Sequence, residues 1–162
     1  MKNIIVDLDG TLANCDHRVH HVRKSDPDWD AFFRDCPLDT PNVWCVDLIR
    51  AMLAAGCHVF VVSARSRKVI WETVTWMDDL FGPDQRIWLH LVRQENDSTP
   101  DQELKRAWLK KFPHREETLF VVDDRDKVVK MWREEGLTCL QCYSWPEFST
   151  RAPGPSEAVV TV

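Results

Sequence analysis

Two aspartates near the start of the chain have the type and spacing needed for chemistry. Asp7 and Asp9 follow a β-branched apolar run, residues 4–6, and Gly10 then indicates a sharp turn. Because side chains alternate along extended backbone, the two carboxylates can point to the same side. Such a pair can bind a divalent cation, or divide the roles of nucleophile and proton carrier. The same residues also fit an ordinary capped turn, so other parts of the chain must decide between the two.

Further polar residues follow the other apolar runs of the chain. They come at or just beyond the ends of these runs: Ser63, Lys105 and the adjacent pair Asp123 and Asp124. If the runs are parallel strands, their carboxyl ends meet at one edge of a sheet, where ligands bind in open α/β folds. Taken singly, the serine could be a helix cap, the lysine a solvated helix residue, and the aspartates a cap and a surface charge. Taken together, they are expected to converge on the first aspartate pair.

The combined set is typical of phosphoryl transfer. Asp7 would attack phosphorus in line, while Asp9 would protonate the departing oxygen and later take a proton from the hydrolytic water. Ser63 and Lys105 would hold the non-bridging oxygens and offset their charge. Phosphate monoesters are among the slowest substrates to hydrolyse unaided, so such catalysis needs several groups acting together.

The carboxylates also predict a metal ion. We expect Mg²⁺ because the candidate ligands are hard oxygen atoms, and a backbone carbonyl, water and phosphate can complete an octahedron. The expected metal-binding residues are Asp7, Asp9, Asp123 and Asp124.

The elements that must position these residues alternate between strands and helices. Apolar runs predict strands at 2–7, 57–62, 87–92, 118–122 and 138–143, and amphipathic stretches predict helices at 43–55, 67–81, 101–111 and 126–135. This alternation predicts an α/β fold, a five-stranded parallel sheet with helices on both faces. Residues 13–40 are polar and irregular, with helical turns expected at 17–23 and 28–34, and we interpret them as a small insertion beside the site.

Length and composition limit the class of protein. The 162 residues favour a single domain over residues 1–145 and a loosely ordered tail, rich in Pro, Ser and Ala, over 146–162. A net charge of −5 argues against a protein that coats long nucleic acid but allows a short contact with a strand end. No signal-peptide pattern or membrane-length apolar run is present. We therefore expect a cytoplasmic protein without membrane contact.

Neither the cysteines nor the tryptophans predict a separate site. Cys139 and Cys142 form the only close pair of the six cysteines, and in a strand they would point to opposite faces. We therefore expect reduced thiols rather than a zinc site. Most of the eight tryptophans are expected in the core or against helices.

The quoted motifs resemble those of a known superfamily. Asp7-Leu8-Asp9-Gly10-Thr11, Ser63, Lys105 and Val122-Asp123-Asp124 are similar to motifs I to IV of haloacid dehalogenase (HAD) phosphatases. Within that superfamily, the run from Asp123 to Arg133 most resembles the 3′-phosphatase domain of phage polynucleotide kinase/phosphatase. The resemblance covers residues 2–143 and implies a Rossmann-like HAD core, with 13–40 as a minimal cap.

The resemblance also implies residues that bind the substrate. Arg18, Arg65 and Arg93 are candidates for binding the substrate phosphate or its neighbour, because guanidinium groups suit phosphate oxygens. Each could equally be a surface salt-bridge partner. Gly10 and Thr11 are counted with them as substrate-binding residues.

Two departures from the family pattern matter. The phage enzyme also has a P-loop kinase domain, whereas this chain has no Gly-x-x-x-x-Gly-Lys-[Ser/Thr] sequence, so we predict no kinase activity. Ala64 stands where the family often has glycine, which bears on the shape of that loop. Outside the motifs, Trp29 in the insertion could stack on a base or pack over the core.

Three functions remain open at this point. The first is a 3′-phosphatase that repairs DNA or RNA ends, which the subfamily-like segments favour and which leaves room for a separate kinase or ligase partner. The second is a phosphatase of mononucleotides or other small phosphate esters, which the acidic net charge slightly favours. The third is a non-catalytic phosphate-binding module, which the intact set of Asp7, Asp9, Lys105 and Asp123 opposes.

Overall fold

Strands and helices alternate through residues 1–143, the part of the chain that the structure, a computed structural model, describes. The strands are β1 (Asn3–Val6), β2 (Ala13–Asn14), β3 (Thr40–Pro41), β4 (His58–Ser66), β5 (Ile87–Arg93), β6 (Thr118–Asp123) and β7 (Cys139–Gln141). The helices are α1 (Trp29–Arg34), α2 (Val43–Ala54), α3 (Ile70–Phe81), α4 (Asp101–Leu109) and α5 (Asp126–Glu134). The tail expected at 146–162 lies outside the described residues.

Five of the strands form one parallel sheet. Their order is β5-β4-β1-β6-β7, which puts β1 at the centre, and every neighbouring pair is parallel. Residues 4–6 of β1 are completely buried, as expected for a strand that is covered on both faces. The predicted α/β fold with a five-stranded parallel sheet is therefore confirmed.

Alternating side chains of β1 belong to two separate cores. Ile4 and Val6 pack in a cluster with Ile49 of α2 and Met77 of α3. Ile5 packs on the other face in a cluster with residues of α4 and α5. The sheet therefore lies between two helical layers, and its parallel arrangement brings the carboxyl ends of the strands to one edge.

The insertion has its own small framework. Strands β2 and β3 pair antiparallel at its base, and a 3₁₀ helix over Asp16–His21 and helix α1 lie between them. Cys15, Val19 and Phe32 form a small apolar cluster that holds these helices together. The helical turns expected in this segment are confirmed. The two-residue strands were not predicted, because strands so short carry no periodicity.

Several tryptophans are more exposed than the sequence predicted. Trp132 is completely buried, but four others are exposed by about half or more: Trp29 (50%), Trp44 (46%), Trp71 (77%) and Trp88 (50%). Trp76 and Trp108 pack against the two cores, so the expectation of core or helix-packing positions holds for these three and not for the four exposed ones. All six cysteines are free thiols, with no disulfide between them. Among the helices of residues 1–143, none combines the length and apolar character that crossing a membrane requires.

Candidate active site

A tight turn after β1 presents the first two aspartates. The amide of Asp7 donates to the carbonyl of Val122 at 2.9 Å, which continues the pairing of β1 with β6 by one residue. The amide of Gly10 then donates to the carbonyl of Ala13 at 2.8 Å. Gly10 has a φ of 90°, a conformation that residues with a Cβ rarely adopt. The turn thereby fixes the backbone that carries Asp7 and Asp9.

Lys105 links the ends of β1 and β6. This side chain of α4 is buried, and its Nζ donates to Oδ1 of Asp7 at 2.5 Å and to Oδ2 of Asp123 at 2.8 Å. Asp123 also accepts a hydrogen bond from Nε1 of the buried Trp132 at 3.1 Å. The predicted convergence of Asp7, Lys105 and Asp123 is therefore present in the fold, and Trp132 is a supporting residue whose contact the sequence did not predict.

Three carboxylates form a group that fits a metal ion. One oxygen each of Asp7, Asp123 and Asp124 lies within 4.8 Å of the other two, and all three residues are buried. Oγ1 of Thr11 donates to Oδ1 of Asp124 at 3.4 Å. The donor set consists of hard oxygen atoms, and Lys105 contacts two of its three carboxylates. It therefore suits Mg²⁺, which uses a few carboxylates and completes its octahedron with water and phosphate.

Burial and charge act in opposite directions in this group. Burial raises the pKa of Asp7 well above its ordinary value, and the nearby charge of Lys105 offsets this only in part. Burial also favours the neutral form of Lys105, but the carboxylates of Asp123 and Asp7 outweigh it and raise the pKa of the amine. The lysine therefore stays protonated, and a further cation would favour the ionised form of Asp7.

Asp9 lies in a second ionic network. Nη2 of Arg65 donates to Oδ1 of Asp9 at 2.5 Å and Nε of Arg65 to Oδ2 at 3.3 Å, while Nη2 of Arg18 also donates to Oδ1. Although burial acts to raise the pKa of Asp9, the two guanidinium groups lower it below the ordinary value. Asp9 is not part of the carboxylate group described above. Its side chain faces the arginines, and its role as a metal ligand stays a prediction.

The two arginines are buried within this network. The side chains of Arg18 and Arg65 have no exposed surface, and both also donate to the carboxylate of Asp39. Arg18 stacks over the ring of Phe32, 4.1 Å from its centre. The structure thus brings both predicted arginines to the site, but it places them on carboxylates there. Asp39 was not predicted as a site residue, because it lies in the polar insertion and has no motif around it.

Ser63 and Thr11 lie close to the two networks. Strand β4 runs on to Ser66, so Ser63 lies inside the strand rather than after it, and its Oγ accepts the amide of Arg65 at 3.1 Å. Thr11 is completely buried and contacts both Asp124 and the thiol of Cys142, with 3.6 Å between Oγ1 and Sγ. Both hydroxyl residues therefore brace charged members of the site, and their contact with substrate stays a prediction.

Arg93 holds a loop rather than the carboxylate group. It ends β5, and its guanidinium donates to the carbonyl of Ala64 at 2.8 Å and to that of Asp97 at 2.6 Å. It also donates to Oδ1 of Asp101 at 2.5 Å, and Arg125 donates to the other oxygen of the same carboxylate. Asp101 lies one turn before Lys105 on α4. Arg93 thus lies in the elements around the site, and its contact with phosphate stays a prediction.

Known proteins share this fold and part of this sequence. The family model described as "Polynucleotide kinase PNKP phosphatase domain" matches residues 1–145. Two solved structures, the Pnkp1/Rnl/Hen1 complex and the Pnkp1/Rnl/Hen1 RNA repair complex, contain chains 27% identical to this one, with TM-scores of 0.69 and 0.68. The match covers 88% of this chain in both cases, but only 46% and 42% of those chains. The chain therefore spans less than half the length of these two proteins.

A more distant structure shows the same fold. CbbY from Rhodobacter sphaeroides, solved in complex with phosphate, is 16% identical to this chain and gives a TM-score of 0.59. The match covers 93% of this chain and 91% of CbbY. At this identity the similarity concerns the arrangement of strands and helices alone.

Proposed function

Because the chain belongs to the polynucleotide kinase PNKP phosphatase domain family of HAD phosphatases, we propose that it is a Mg²⁺-dependent phosphomonoesterase that removes 3′-phosphates from polynucleotide ends. The observation that carries this proposal is the contact of Lys105 with Asp7 and Asp123, which joins three distant segments into one buried charged group. A protein that only kept the fold would have no need for this costly arrangement, since buried charges are expensive unless they are paired.

The reaction would proceed through Asp7. Its carboxylate attacks phosphorus in line, a bond forms between Oδ and phosphorus, and the bond from phosphorus to the ester oxygen breaks. Arg18 and Arg65 favour the ionised form of Asp9, so Asp9 must take up a proton before it acts as the acid. It then gives this proton to the departing 3′ oxygen and takes one back from the water that attacks the aspartyl-phosphate. That second attack releases inorganic phosphate and restores the Asp7 carboxylate. Lys105 stays protonated throughout and offsets the charge of the phosphate oxygens.

A metal ion would be held by the three buried carboxylates. Asp7, Asp123 and Asp124 supply its protein ligands. When bound, Mg²⁺ offsets the negative charge that the phosphate and the carboxylates bring together. Thr11 would keep Asp124 in place through the contact of its hydroxyl with Oδ1.

The substrate class rests on the family and on its solved members. Two similar chains occur in the Pnkp1/Rnl/Hen1 complexes, one of which is described as an RNA repair complex, and this supports a role in processing nucleic acid ends. Mononucleotides are the second candidate, since a net charge of −5 does not favour the binding of a long polymer. A separate kinase or ligase partner and a cytoplasmic location, where free thiols persist, belong to the same proposal.

Parallel assays would test this proposal. Phosphate release should be measured on 3′-phosphorylated DNA and RNA oligonucleotides and on 3′- and 5′-mononucleotides, each with Mg²⁺ and with EDTA. We expect release that depends on Mg²⁺ and is fastest on an oligonucleotide 3′ end. Faster release from mononucleotides would favour the second candidate, and no release from any ester would refute phosphatase activity.

A further inference from the structure

Asp39 is a buried carboxylate that the proposed reaction does not use directly. Its Oδ1 accepts from Nε of Arg18 at 2.6 Å, and its Oδ2 accepts from Nη2 of Arg18 at 2.7 Å and from Nη2 of Arg65 at 2.8 Å. Its side chain has no exposed surface. Asp39 therefore accepts two hydrogen bonds from the guanidinium of Arg18 and one from that of Arg65.

The four charged groups form one balanced unit. Arg18 and Arg65 each contact both Asp9 and Asp39, so two positive groups lie between two negative ones. Two-point contacts between guanidinium and carboxylate fix direction as well as distance. Asp39 therefore sets where the guanidinium groups point, and these in turn fix the carboxylate of Asp9.

The backbone of Asp39 is fixed independently of its side chain. Its carbonyl accepts a hydrogen bond from Nε1 of Trp76 in α3 at 2.8 Å. The next two residues form β3, which pairs with β2 at the base of the insertion. Arg18 comes from the 3₁₀ helix of the same insertion, while Arg65 comes from β4. The insertion thus supplies two of the four members of the network that surrounds Asp9.

We propose that Asp39 is a positioning residue, which holds Asp9 through Arg18 and Arg65 in the place from which it serves the ester oxygen of the substrate. This inference rests on the proposed function, because it assumes that Asp9 gives a proton to the leaving group. Asp9 also acts as the base in the second step, which is the same for every ester, so only the first step distinguishes substrates. In that first step, which sets kcat/KM, substrates that do not need the proton should be insensitive to Asp39. An ester of p-nitrophenol is such a substrate, since its phenolate leaves without protonation, whereas the 3′ oxygen of a sugar leaves as a poor alkoxide unless it is protonated.

The experiment compares two substrates with the full chain in Mg²⁺. We expect Asp39→Asn to lower kcat/KM on a 3′-phosphorylated oligonucleotide by about 10- to 100-fold, with a much smaller loss of kcat/KM on p-nitrophenyl phosphate. Asp9→Asn should give the same selective pattern more strongly. Asp39→Glu, which keeps the charge, should recover part of the rate. Asp84→Asn, which removes a surface partner of Arg86, is the matched control and should change neither substrate.

Each outcome has a separate meaning. Equal losses on both substrates, or no loss on the oligonucleotide, would overturn the positioning role while leaving the proposed function intact. Wild-type protein without activity on either ester would overturn the proposed function and this inference with it. If thermal unfolding shows that Asp39→Asn does not fold, Arg18→Lys takes its place. This variant keeps the positive charge but loses the two-point contact with Asp39. We expect it to show the same difference between the two substrates.

Discussion

The ammonium of Lys105 lies 2.5 Å from Oδ1 of Asp7, although the two residues are 98 positions apart. The contact arises because β1 ends beside α4, and the same ammonium reaches Asp123 at the end of β6. Asp124 brings a third carboxylate to this place, with oxygen atoms of all three residues within 4.8 Å of one another. The site is therefore suited to a divalent cation. Substitutions of Asp7 and of Lys105 can separate the roles of these two residues.

Asp7→Asn should abolish turnover and leave the fold intact. The amide has almost the shape of the carboxylate but is a poor nucleophile, so we expect kcat to fall by at least about 10³-fold. Phosphate release and thermal unfolding should be measured on the same preparation, with Asp84→Asn as a surface control. A variant with near-normal activity and unchanged dependence on Mg²⁺ would show that Asp7 is not the nucleophile.

Sequence patterns predict the parts of the site that follow regular elements. Asp7 and Asp123 each follow an apolar run, and Lys105 lies in a helix whose periodicity is clear. A parallel sheet brings the ends of its strands to one edge, so these three residues could be placed together. Asp39 could not be placed, because the segment around it is polar and aperiodic. Only the fold shows which residues it reaches.

The arginines illustrate a second limit of sequence patterns. A guanidinium group suits phosphate and carboxylate equally well, so the sequence around Arg65 does not reveal which of the two groups this arginine binds. The structure places it on Asp9 and Asp39. In the same way, the exposure of Trp29 and Trp71 could not be foreseen, because indole rings are common in cores and on surfaces alike.

Lys105→Met should lower stability as well as activity. The thioether fills similar space but leaves Asp7 and Asp123 without their shared cation, and breaking such a buried pair costs about 3–5 kcal/mol. We expect the free energy of unfolding in EDTA, measured by urea denaturation, to fall by an amount in that range.

Mg²⁺ should recover part of that loss, because an ion among the carboxylates replaces some of the missing positive charge. The gain in stability on adding Mg²⁺ should therefore be larger for Lys105→Met than for wild-type protein. Lys130→Met, at an exposed lysine of α5, is the matched control and should behave like wild type. Equal stabilisation of all three proteins by Mg²⁺ would argue against a metal site at these carboxylates.

Trp29→Ala should weaken the binding of a polynucleotide end. The indole is half exposed, lines an open depression of the surface, and contacts Phe32, whose ring and carbonyl hold Arg18. Because stacking on an aromatic ring contributes about 1–3 kcal/mol per base, KM for a 3′-phosphorylated oligonucleotide should rise by about 5- to 150-fold.

The same variant should leave KM for p-nitrophenyl phosphate unchanged, since that ester has no base. Trp71→Ala removes an even more exposed indole from α3 and should affect neither substrate. If KM for the oligonucleotide stays the same in Trp29→Ala, the ring serves packing in the insertion and does not contact substrate.

His90 lies outside the active site and should make the free energy of unfolding depend on pH. Its ring packs near Trp108 and Phe60, and its Nε2 is buried without a hydrogen-bond partner among residues 1–143. Burial lowers the pKa of His90 below its ordinary value of 6.5. The unfolded chain therefore binds a proton at His90 more readily than the folded protein does. The stability that the neutral His90 ring contributes to the folded state is complete above about pH 6.5 and is lost as the pH falls below that value.

We expect the free energy of unfolding to drop between pH 7 and pH 5, with a His90 share of less than about 1 kcal/mol because the ring is only partly buried. His90→Phe should reduce that drop, since phenylalanine does not titrate, whatever its effect at neutral pH. His20→Gln, at an exposed histidine of the insertion, should leave the drop unchanged. Urea unfolding at half-unit pH intervals would measure all three proteins. A drop that is the same size in His90→Phe as in wild type would mean that other groups cause it.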